Sequence, residues 1–360
     1  MNNSINERLR IKSTFGDYPV NELVDKDSLH EHLRQLADAF FLVDSNVFSL
    51  ANLGSILPKE RTLAIEATEG AKNLDSVATI SAWLANNHAD KQSTLVAIGG
   101  GIVQDLATFT AAVYFRGIKW VYVPTTLLAM ADSCIGAKCA LNIPNHKNQI
   151  GVIYAPSEVI IFQRFLSTLS DELLLSGLGE ILKLSLTGPK DFFEVFINSA
   201  QNREHIFSLA MLSLASKQAV IEVDELEQGP RRILNYGHSF GHAIEAISKG
   251  KISHGQAVVF GIDIINFLGE EWGLTPTTLR TRISNLIKQV FPTIKWSVDP
   301  SLPRKLVEEL RHDKKIEGGD LVFAVLRDIG ILELVPKSLD EDLIALVEKY
   351  FESESKRFSA

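Results

Sequence analysis

Thr94-Leu95-Val96-Ala97-Ile98 runs directly into Gly99-Gly100-Gly101 and then into Ile102-Val103-Gln104-Asp105. The first five residues are typical of a buried β-strand, and the last four open a helical pattern that continues to Tyr114. Glycines between a strand and a helix let a phosphate group approach the backbone N–H groups at the helix N-terminus. Because the spacing is not G-x-G-x-x-G, a tight turn without a ligand explains these residues equally well.

The same alternation of strand and helix patterns fills the first half of the chain. Short apolar runs at 40–44, 63–67, 120–123 and 159–162 predict further strands, with a helix at 74–89. Short buried strands separated by helices indicate an α/β fold, a Rossmann-like parallel sheet with helices on both faces. We assign this domain to residues 1–165.

The second half is predicted to be mostly α-helical, as a domain covering 166–360. One hairpin-like pair of strands, 321–326 and 331–335, interrupts the helical patterns, and the tail 352–360 is expected to be frayed. The predicted helices are 171–186, 191–199, 206–223, 239–248, 257–272, 278–290, 303–312 and 339–351.

Composition limits the classes of function. The 360 residues are 46% hydrophobic and carry a net charge of -8, which argues against a general nucleic-acid or anionic-membrane binder. We find no apolar run long enough for a membrane span and no secretory signal pattern. Cys134 and Cys139 form neither a disulfide framework nor a CxxC metal clip, so we expect a cytoplasmic protein.

A second motif contains metal-ligand residue types. His238 and His242 are four residues apart, so in a helix they share one face, and His254 follows in a Ser-His-Gly segment. Upstream, Glu180 and Lys183 lie one turn apart in an apolar helical run. One carboxylate and two or three imidazoles are a plausible Zn²⁺ site with an open position, although a histidine pair alone more often lies at a surface or in a satisfied core.

Other polar residues are candidates for holding a dinucleotide or an anion. Asp44 ends a strand, where a carboxylate can meet a ribose hydroxyl, and Thr125 and Thr126 follow another strand. A loop-like region from Asp132 to Asn148 combines ammonium, amide and carboxylate groups that suit an anionic substrate. For each residue alone, a solvated surface position is the alternative. The further candidates are Asn46, Lys72, Arg116, Lys138, Asn142, His146, Lys147, Lys217, Arg231, Lys314 and Lys315.

Taken together, these motifs resemble those of the 3-dehydroquinate synthases and of the wider sugar-phosphate cyclase family. The resemblance covers most of the chain, from about Asp44 to Lys315. The segments that carry it are Gly99–Asp105, Tyr114–Ile118, Pro124–Ala129, Asp132-Ser133, Lys138, Asn142, Lys147-Asn148, Gly177–Lys183, Asp224–Arg231, Leu234-Asn235, Gly237-His238, Gly241–Glu245 and His254-Gly255.

The resemblance implies two cofactors and a homodimer. It implies a divalent metal, Zn²⁺ or else Co²⁺, held by Glu180, His238 and His254. It implies NAD held by Asp44, Asn46, Lys72, Gly99, Gly100, Gly101, Asp105, Thr125, Thr126 and Lys147. Substrate would contact Asp132, Lys138, Asn148, Lys183, Lys217, Arg231, Asn235 and His242, with Arg116 reaching the phosphate from a neighbouring subunit.

The implied activity is that of a lyase of the shikimate pathway. It converts 3-deoxy-arabino-heptulosonate 7-phosphate into 3-dehydroquinate, by transient oxidation, β-elimination of phosphate, reduction and aldol closure. The segment Gly136-Ala137-Lys138-Cys139-Ala140 and His146 depart from the usual pattern. A valiolone-type cyclase acting on sedoheptulose 7-phosphate, a deoxy-inosose-type cyclase and a glycerol-dehydrogenase-like polyol dehydrogenase are the alternatives, with a non-catalytic binding protein as a fourth.

Overall fold

A computed structural model of the protein describes residues 5–36, 38–144, 146–291, 299–313 and 315–354. The chain divides into two units. Unit 1 comprises Met1–Ser170 and Gln218–Leu226, and unit 2 comprises Asp171–Lys217 and Glu227–Ala360. The segment Gln218–Leu226 is tied into unit 1 by hydrogen bonds such as that from the Thr14 N–H to Glu225, at 2.8 Å. The predicted domain boundary at residue 165 stays a prediction.

The described residues of unit 1 form a seven-stranded sheet, a separate two-stranded ladder and four α-helices. The strands are β1 (Ile5–Ile11), β2 (Tyr18–Leu23), β3 (Phe40–Asp44), β4 (Thr62–Ile65), β5 (Thr94–Gly99), β6 (Lys119–Pro124), β7 (Lys138–Ile143), β8 (His146–Ile153) and β9 (Glu158–Phe162). The helices are α1 (Lys26–Gln35), α2 (Ser45–Leu50), α3 (Leu74–Asn86) and α4 (Gly101–Val113).

The large sheet has the order β1-β2-β9-β6-β5-β3-β4. Every neighbouring pair is parallel except β1 and β2, which are antiparallel. Its central strands β3, β5, β6 and β9 are almost wholly buried, as parallel strands covered on both faces must be. The predicted Rossmann-like parallel sheet is therefore confirmed.

Two pairs of strands escaped sequence-based prediction. The edge hairpin β1–β2 was not predicted, and the predicted loop-like region around Lys138 and His146 is wrong, because β7 and β8 form an antiparallel ladder there. Strand β8 has no fully buried residue, so it lacks the apolar run that identifies a central strand. Asp132 lies just before this ladder, in the π-helical turn Ala129–Ser133.

Unit 2 is mostly helical, as predicted. Its helices are α5 (Asp171–Thr187), α6 (Lys190–Ser199), α7 (Ile206–Ile221), α8 (His238–Ser248), α9 (His254–Glu271), α10 (Thr277–Val290), α11 (Leu302–Leu310) and α12 (Glu341–Ser353), the last residues of α7 belonging to unit 1. A three-stranded antiparallel sheet joins them: β10 (Ile316–Glu317), β11 (Asp320–Asp328) and β12 (Ile331–Ser338).

The predicted helix ends agree with these bounds to within one turn. The predicted fraying of 352–360 is wrong for the first two residues, which belong to α12, while residues 355–360 and Lys314 lie outside the described part of the chain. Among the described residues, no helix has both the length and the apolar character required to cross a bilayer.

Glycines bring three helices of unit 2 into backbone contact. A Cβ atom on Gly255 of α9 would lie 1.7 Å from the carbonyl oxygen of Ser176 in α5. A Cβ atom on Gly261 of α9 would lie 1.9 Å from the carbonyl oxygen of Gly237, which precedes α8. Side chains larger than hydrogen are excluded at both contacts, so α9 packs closely against α5 and α8.

Replacing Gly261 by Ala should therefore destabilise unit 2. The added methyl group forces α8 and α9 apart, and we expect a loss of about 3 kcal/mol in the free energy of unfolding, measured by urea denaturation. Gly70→Ala is the control, because its Cβ would meet nothing closer than the Thr68 hydroxyl at 3.9 Å. Equal stability of the two variants would contradict the close packing.

Candidate active site

The site is built around a charged pair inside helix α5. From Ser176 to Thr187 every residue of this helix is buried, and Glu180 and Lys183 are only 1% and 3% exposed. The Lys183 Nζ atom lies 2.6 Å from Glu180 Oε2. Burying two charges costs free energy even when they pair, so this helix carries groups that an apolar core would not require.

Two histidines approach the same carboxylate from the first residues of two other helices. His238 begins α8, after the left-handed Gly237 (φ 76°), and His254 begins α9. Glu180 Oε1 lies 3.0 Å from His254 Nε2 and 3.5 Å from His238 Nε2. The structure thus brings the three predicted metal ligands together, with one donor atom from each residue within 4.8 Å of the others.

Each histidine has a second partner that turns Nε2 toward Glu180. His238 Nδ1 is 3.3 Å from the Tyr236 carbonyl oxygen, and His254 Nδ1 is 2.8 Å from Glu245 Oε2. Two imidazoles and one carboxylate are the protein ligands of one class of catalytic zinc site, which leaves a coordination position open. The residues present therefore fit a divalent metal.

The site holds its histidines in different protonation states. Burial, followed by the positive charge of Lys183, lowers the pKa of His238 well below its usual value. Burial also disfavours the charged form of His254, but the hydrogen bonds that its ring donates to the carboxylates of Glu180 and Glu245 outweigh burial and raise the pKa of His254 to about 10. A metal ion would replace the shared proton between His254 and Glu180 with a stronger positive charge.

His242 lies one turn after His238 on α8, with 5.4 Å between the ring centroids. Although the residue is exposed, desolvation by the surrounding protein, together with His254 and Lys315, lowers the pKa of His242 to about 4. Its imidazole is neutral near pH 7, so it can either accept or donate a hydrogen bond.

Other predicted substrate residues of unit 2 are also buried. Arg231 lies in the short 3₁₀ helix Pro230–Asn235 and is 4% exposed, and Lys217 on α7 is 7% exposed. Asn235 donates to Glu227 Oε1 at 2.6 Å. Sequence reasoning missed Glu227, because a lone acidic residue in an irregular segment carries no periodic signal.

In unit 1, the glycine turn lies where the order of the strands changes direction. From β3 the chain proceeds to β4 on one side, and from β5 it proceeds to β6 on the other, although β3 and β5 are neighbours. Asp44 ends β3 and Gly99 ends β5, so both lie at the carboxyl edge of the sheet. Open α/β sheets bind ligands at this crevice.

The glycine turn has room for a ligand. A Cβ atom on Gly99 would clash with Val103 and one on Gly100 with Thr126, whereas one on Gly101 would meet nothing within 4 Å. Helix α4 begins at Gly101, and its N-terminal N–H groups favour an anion. The space at Gly101 therefore fits a phosphate group of a dinucleotide.

A polar network next to this turn joins predicted cofactor and substrate residues. The buried Lys72 places Nζ 3.0 Å from Asp105 Oδ2 and 2.6 Å from Asn148 Oδ1. The Asn148 N–H donates to Asn142 Oδ1 at 2.9 Å. Burial raises the pKa of Asp105 even though the Lys72 ammonium opposes that shift.

The remaining predicted residues of unit 1 occupy different positions. Asp44 caps α2 by accepting from the Asn46 N–H at 2.9 Å, and the Thr125 N–H donates to the Gly99 carbonyl at 3.0 Å. Five predicted residues of unit 1 have exposed side chains: Asn46, Arg116, Lys138, His146 and Lys147. Arg116 follows the far end of the 13-residue helix α4, about 20 Å from the glycine turn at the rise of an α-helix, so it does not join that turn within one chain.

Two family models match the chain. The model for the 3-dehydroquinate synthase N-terminal region matches residues 62–176, and that for the C-terminal region matches residues 177–316. The chain belongs to the 3-dehydroquinate synthase family. A 3-dehydroquinate synthase of Dictyoglomus turgidum is 36% identical over 301 residues, covering 81% of this chain and 83% of that protein. One of Dictyoglomus thermophilum is 33% identical over 353 residues, covering 94% and 97%.

Solved structures share the family fold. A 2-deoxy-scyllo-inosose synthase, complexed with carbaglucose-6-phosphate, NAD+ and Co2+, has a TM-score of 0.82 at 23% identity, covering 95% of this chain and 99% of that one. ValA, a 2-epi-5-epi-valiolone synthase from Streptomyces hygroscopicus with NAD+ and Zn2+ bound, has a TM-score of 0.81 at 23% identity and the same coverage. A probable glycerol dehydrogenase from Sinorhizobium meliloti is less similar, with a TM-score of 0.62.

Removing the central carboxylate should abolish metal binding. Glu180→Ala deletes the carboxylate oxygen that faces the Nε2 atoms of both histidines, at 3.0 and 3.5 Å, and we expect the purified variant to contain almost no metal by elemental analysis. Glu172→Ala is the matched control, since this acid is exposed on the same helix. Full metal occupancy in the Glu180 variant would contradict the ligand set.

Proposed function

We propose that the protein is an enzyme that converts 3-deoxy-arabino-heptulosonate 7-phosphate into 3-dehydroquinate and inorganic phosphate. The observation that carries this proposal is the meeting of Glu180, His238 and His254 at one point of unit 2, in a chain of this family. The family identity defines the reaction class, a lyase that eliminates phosphate and closes a carbocycle.

Two cofactors belong to this proposal. Glu180, His238 and His254 would hold a divalent metal, Zn²⁺ or Co²⁺, and the turn Gly99–Gly101 with Asp44 would hold NAD. When bound, NAD would accept a hydride from a substrate carbon and later return it, and the metal would polarise the hydroxyl group on that same carbon. The structural relatives that carry NAD+ with Co2+ or Zn2+ support this choice.

Side chains of unit 2 would position the substrate and its protons. The Lys183 ammonium, 2.6 Å from Glu180, keeps positive charge beside the metal ligands and can donate to a substrate oxygen there. The neutral His242 can hold a proton that a hydroxyl loses or regains. The buried guanidinium of Arg231 and the ammonium of Lys217 suit the carboxylate and phosphate of the substrate, because Arg binds planar anions through two parallel hydrogen bonds.

Unit 1 would contribute polar groups from the strands next to the glycine turn. Lys72 bonds to both Asp105 and Asn148, so a residue proposed for NAD and one proposed for substrate share one ammonium. We infer that this network holds the residues proposed for NAD and those proposed for substrate in a fixed relative position. Asp132, Lys138 and Asn235 complete the proposed substrate contacts, and Asn46, Lys147, Thr125 and Thr126 the proposed cofactor contacts.

The proposal includes a homodimer in the cytoplasm. Arg116 lies at the opposite end of α4 from the glycine turn, in a turn where Phe115 and Arg116 both have positive φ. Such backbone strain is typical of functional turns. We infer that this turn serves the phosphate site of a partner subunit.

Incubation with 3-deoxy-arabino-heptulosonate 7-phosphate, NAD and Zn²⁺ should release phosphate without net accumulation of NADH. The hydride taken from the substrate is returned within the same turnover, so absorbance at the NADH wavelength should stay flat while phosphate rises. Sedoheptulose 7-phosphate and glucose 6-phosphate are the matched alternatives, which test the valiolone-type and deoxy-inosose-type cyclases. Stoichiometric NADH from a polyol would instead indicate a dehydrogenase.

Replacing Gly101 by Ala should weaken NAD binding while the fold is retained. The new methyl group meets no protein atom within 4 Å, but it occupies the space proposed for the phosphate groups. We expect an increase in Kd of at least about tenfold, or about 1.4 kcal/mol, by calorimetric titration. Gly70→Ala serves as the control, and unchanged NAD affinity in the Gly101 variant would contradict the placement.

A further inference from the structure

His254 belongs to two groups of possible metal donors. One group is Glu180, His238 and His254, and the other is His242, Glu245 and His254. The two imidazole nitrogens of His254 face different carboxylates, with Nε2 3.0 Å from Glu180 Oε1 and Nδ1 2.8 Å from Glu245 Oε2. The choice between the groups therefore depends on which nitrogen keeps a proton.

The position of the hydrogen on the imidazole ring of His254 favours the first group, Glu180, His238 and His254. A neutral imidazole carries one N–H and one lone pair, so a nitrogen that coordinates a metal leaves the hydrogen on the other nitrogen. Glu245 Oε2 is at donor–acceptor distance from Nδ1, and an ionised carboxylate is an acceptor only. With Nδ1–H donated to Glu245, the lone pair of His254 is on Nε2 and faces Glu180 and His238.

The position of Glu245 also suits support of a ligand. It lies in the last turn of α8, and its side chain is 15% exposed. His254 is the first residue of α9, so its ring is held at a helix end by a carboxylate from the neighbouring helix. His238, by comparison, is held by a backbone carbonyl.

We propose that Glu245 is a positioning residue that sets the tautomer and orientation of His254, and through them the metal affinity of the site. This inference rests on the metal site of the proposed function. Glu245 does not coordinate the ion, and its carboxylate increases the basicity of the Nε2 atom that does. Removal of such a partner costs about 10- to 100-fold in metal affinity.

The test is a chelator competition titration with Zn²⁺ on the full-length protein without substrate. Glu245→Gln keeps the shape of the side chain and removes its charge, and we expect it to weaken Zn²⁺ affinity by about 10- to 100-fold. Glu180→Gln should weaken it far more, because a ligand is altered. His242→Gln, which removes a donor found in the second group alone, should leave the affinity unchanged.

A second readout separates positioning from ligation. With Co²⁺ in place of Zn²⁺, Glu245→Gln should keep the visible absorption bands of the parent protein, since the ligand atoms are unchanged, whereas Glu180→Gln should shift them. Unchanged Zn²⁺ affinity in Glu245→Gln, even with reduced thermal stability, would overturn the inference, because the residue would then be a structural link between α8 and α9. Equal losses in Glu245→Gln and His242→Gln would also overturn it, in favour of the second group.

These results are independent of catalysis. If Glu245→Gln weakens metal binding but no sugar phosphate releases phosphate with the parent protein, the positioning role stands and the proposed function fails. If phosphate is released but metal affinity does not change in Glu245→Gln, the proposed function stands and the positioning role of Glu245 fails.

Discussion

Backbone contact between helices is the constraint on which the candidate metal site depends. Gly255 of α9 touches the Ser176 carbonyl of α5, and Gly261 touches the carbonyl of Gly237. Since α9 is packed this closely against its neighbours, a side chain at its first residue reaches a carboxylate in the middle of α5. The three proposed ligands thus lie on helices whose separation is set by backbone, which holds a site more rigidly than loops can.

The second feature of unit 2 is the number of charged groups it buries. The exposed fractions of Glu180, Lys183, Lys217 and Arg231 are 1%, 3%, 7% and 4%, and transfer of charges from water is unfavourable even when partners are present. A fold selected for stability alone would place apolar residues at these positions. An anion-binding metal enzyme requires such charged groups, because perturbed and buried ionisable groups concentrate where chemistry occurs.

Sequence patterns were informative where burial is one-sided or complete. The central strands of unit 1 and the helices of unit 2 were predicted because apolar runs and helical periodicity record which face is covered. The hairpin β1–β2 and the ladder β7–β8 were missed, since β8 has no fully buried residue and so carries no comparable pattern. The hairpin β1–β2 lies at the edge of the seven-stranded sheet.

The candidate site shows the same division. His238, His254 and Glu180 could be chosen from residue type and motif, and the structure brings them together. Glu245 could have been suspected, because it follows His242 by three residues on one helix face. The contact of Glu245 with His254 depends on how α8 packs against α9. The contact of Glu227 with Asn235 depends on the path of an irregular segment. Neither arrangement can be derived from periodicity.

Anomalous X-ray diffraction at the zinc edge, from crystals of the full-length protein grown with Zn²⁺, tests the central claim most directly. The account predicts a single strong peak bounded by Glu180, His238 Nε2 and His254 Nε2, with Glu245 bonded to His254 Nδ1. A peak bounded by His242, Glu245 and His254, or no peak at either position, would contradict it.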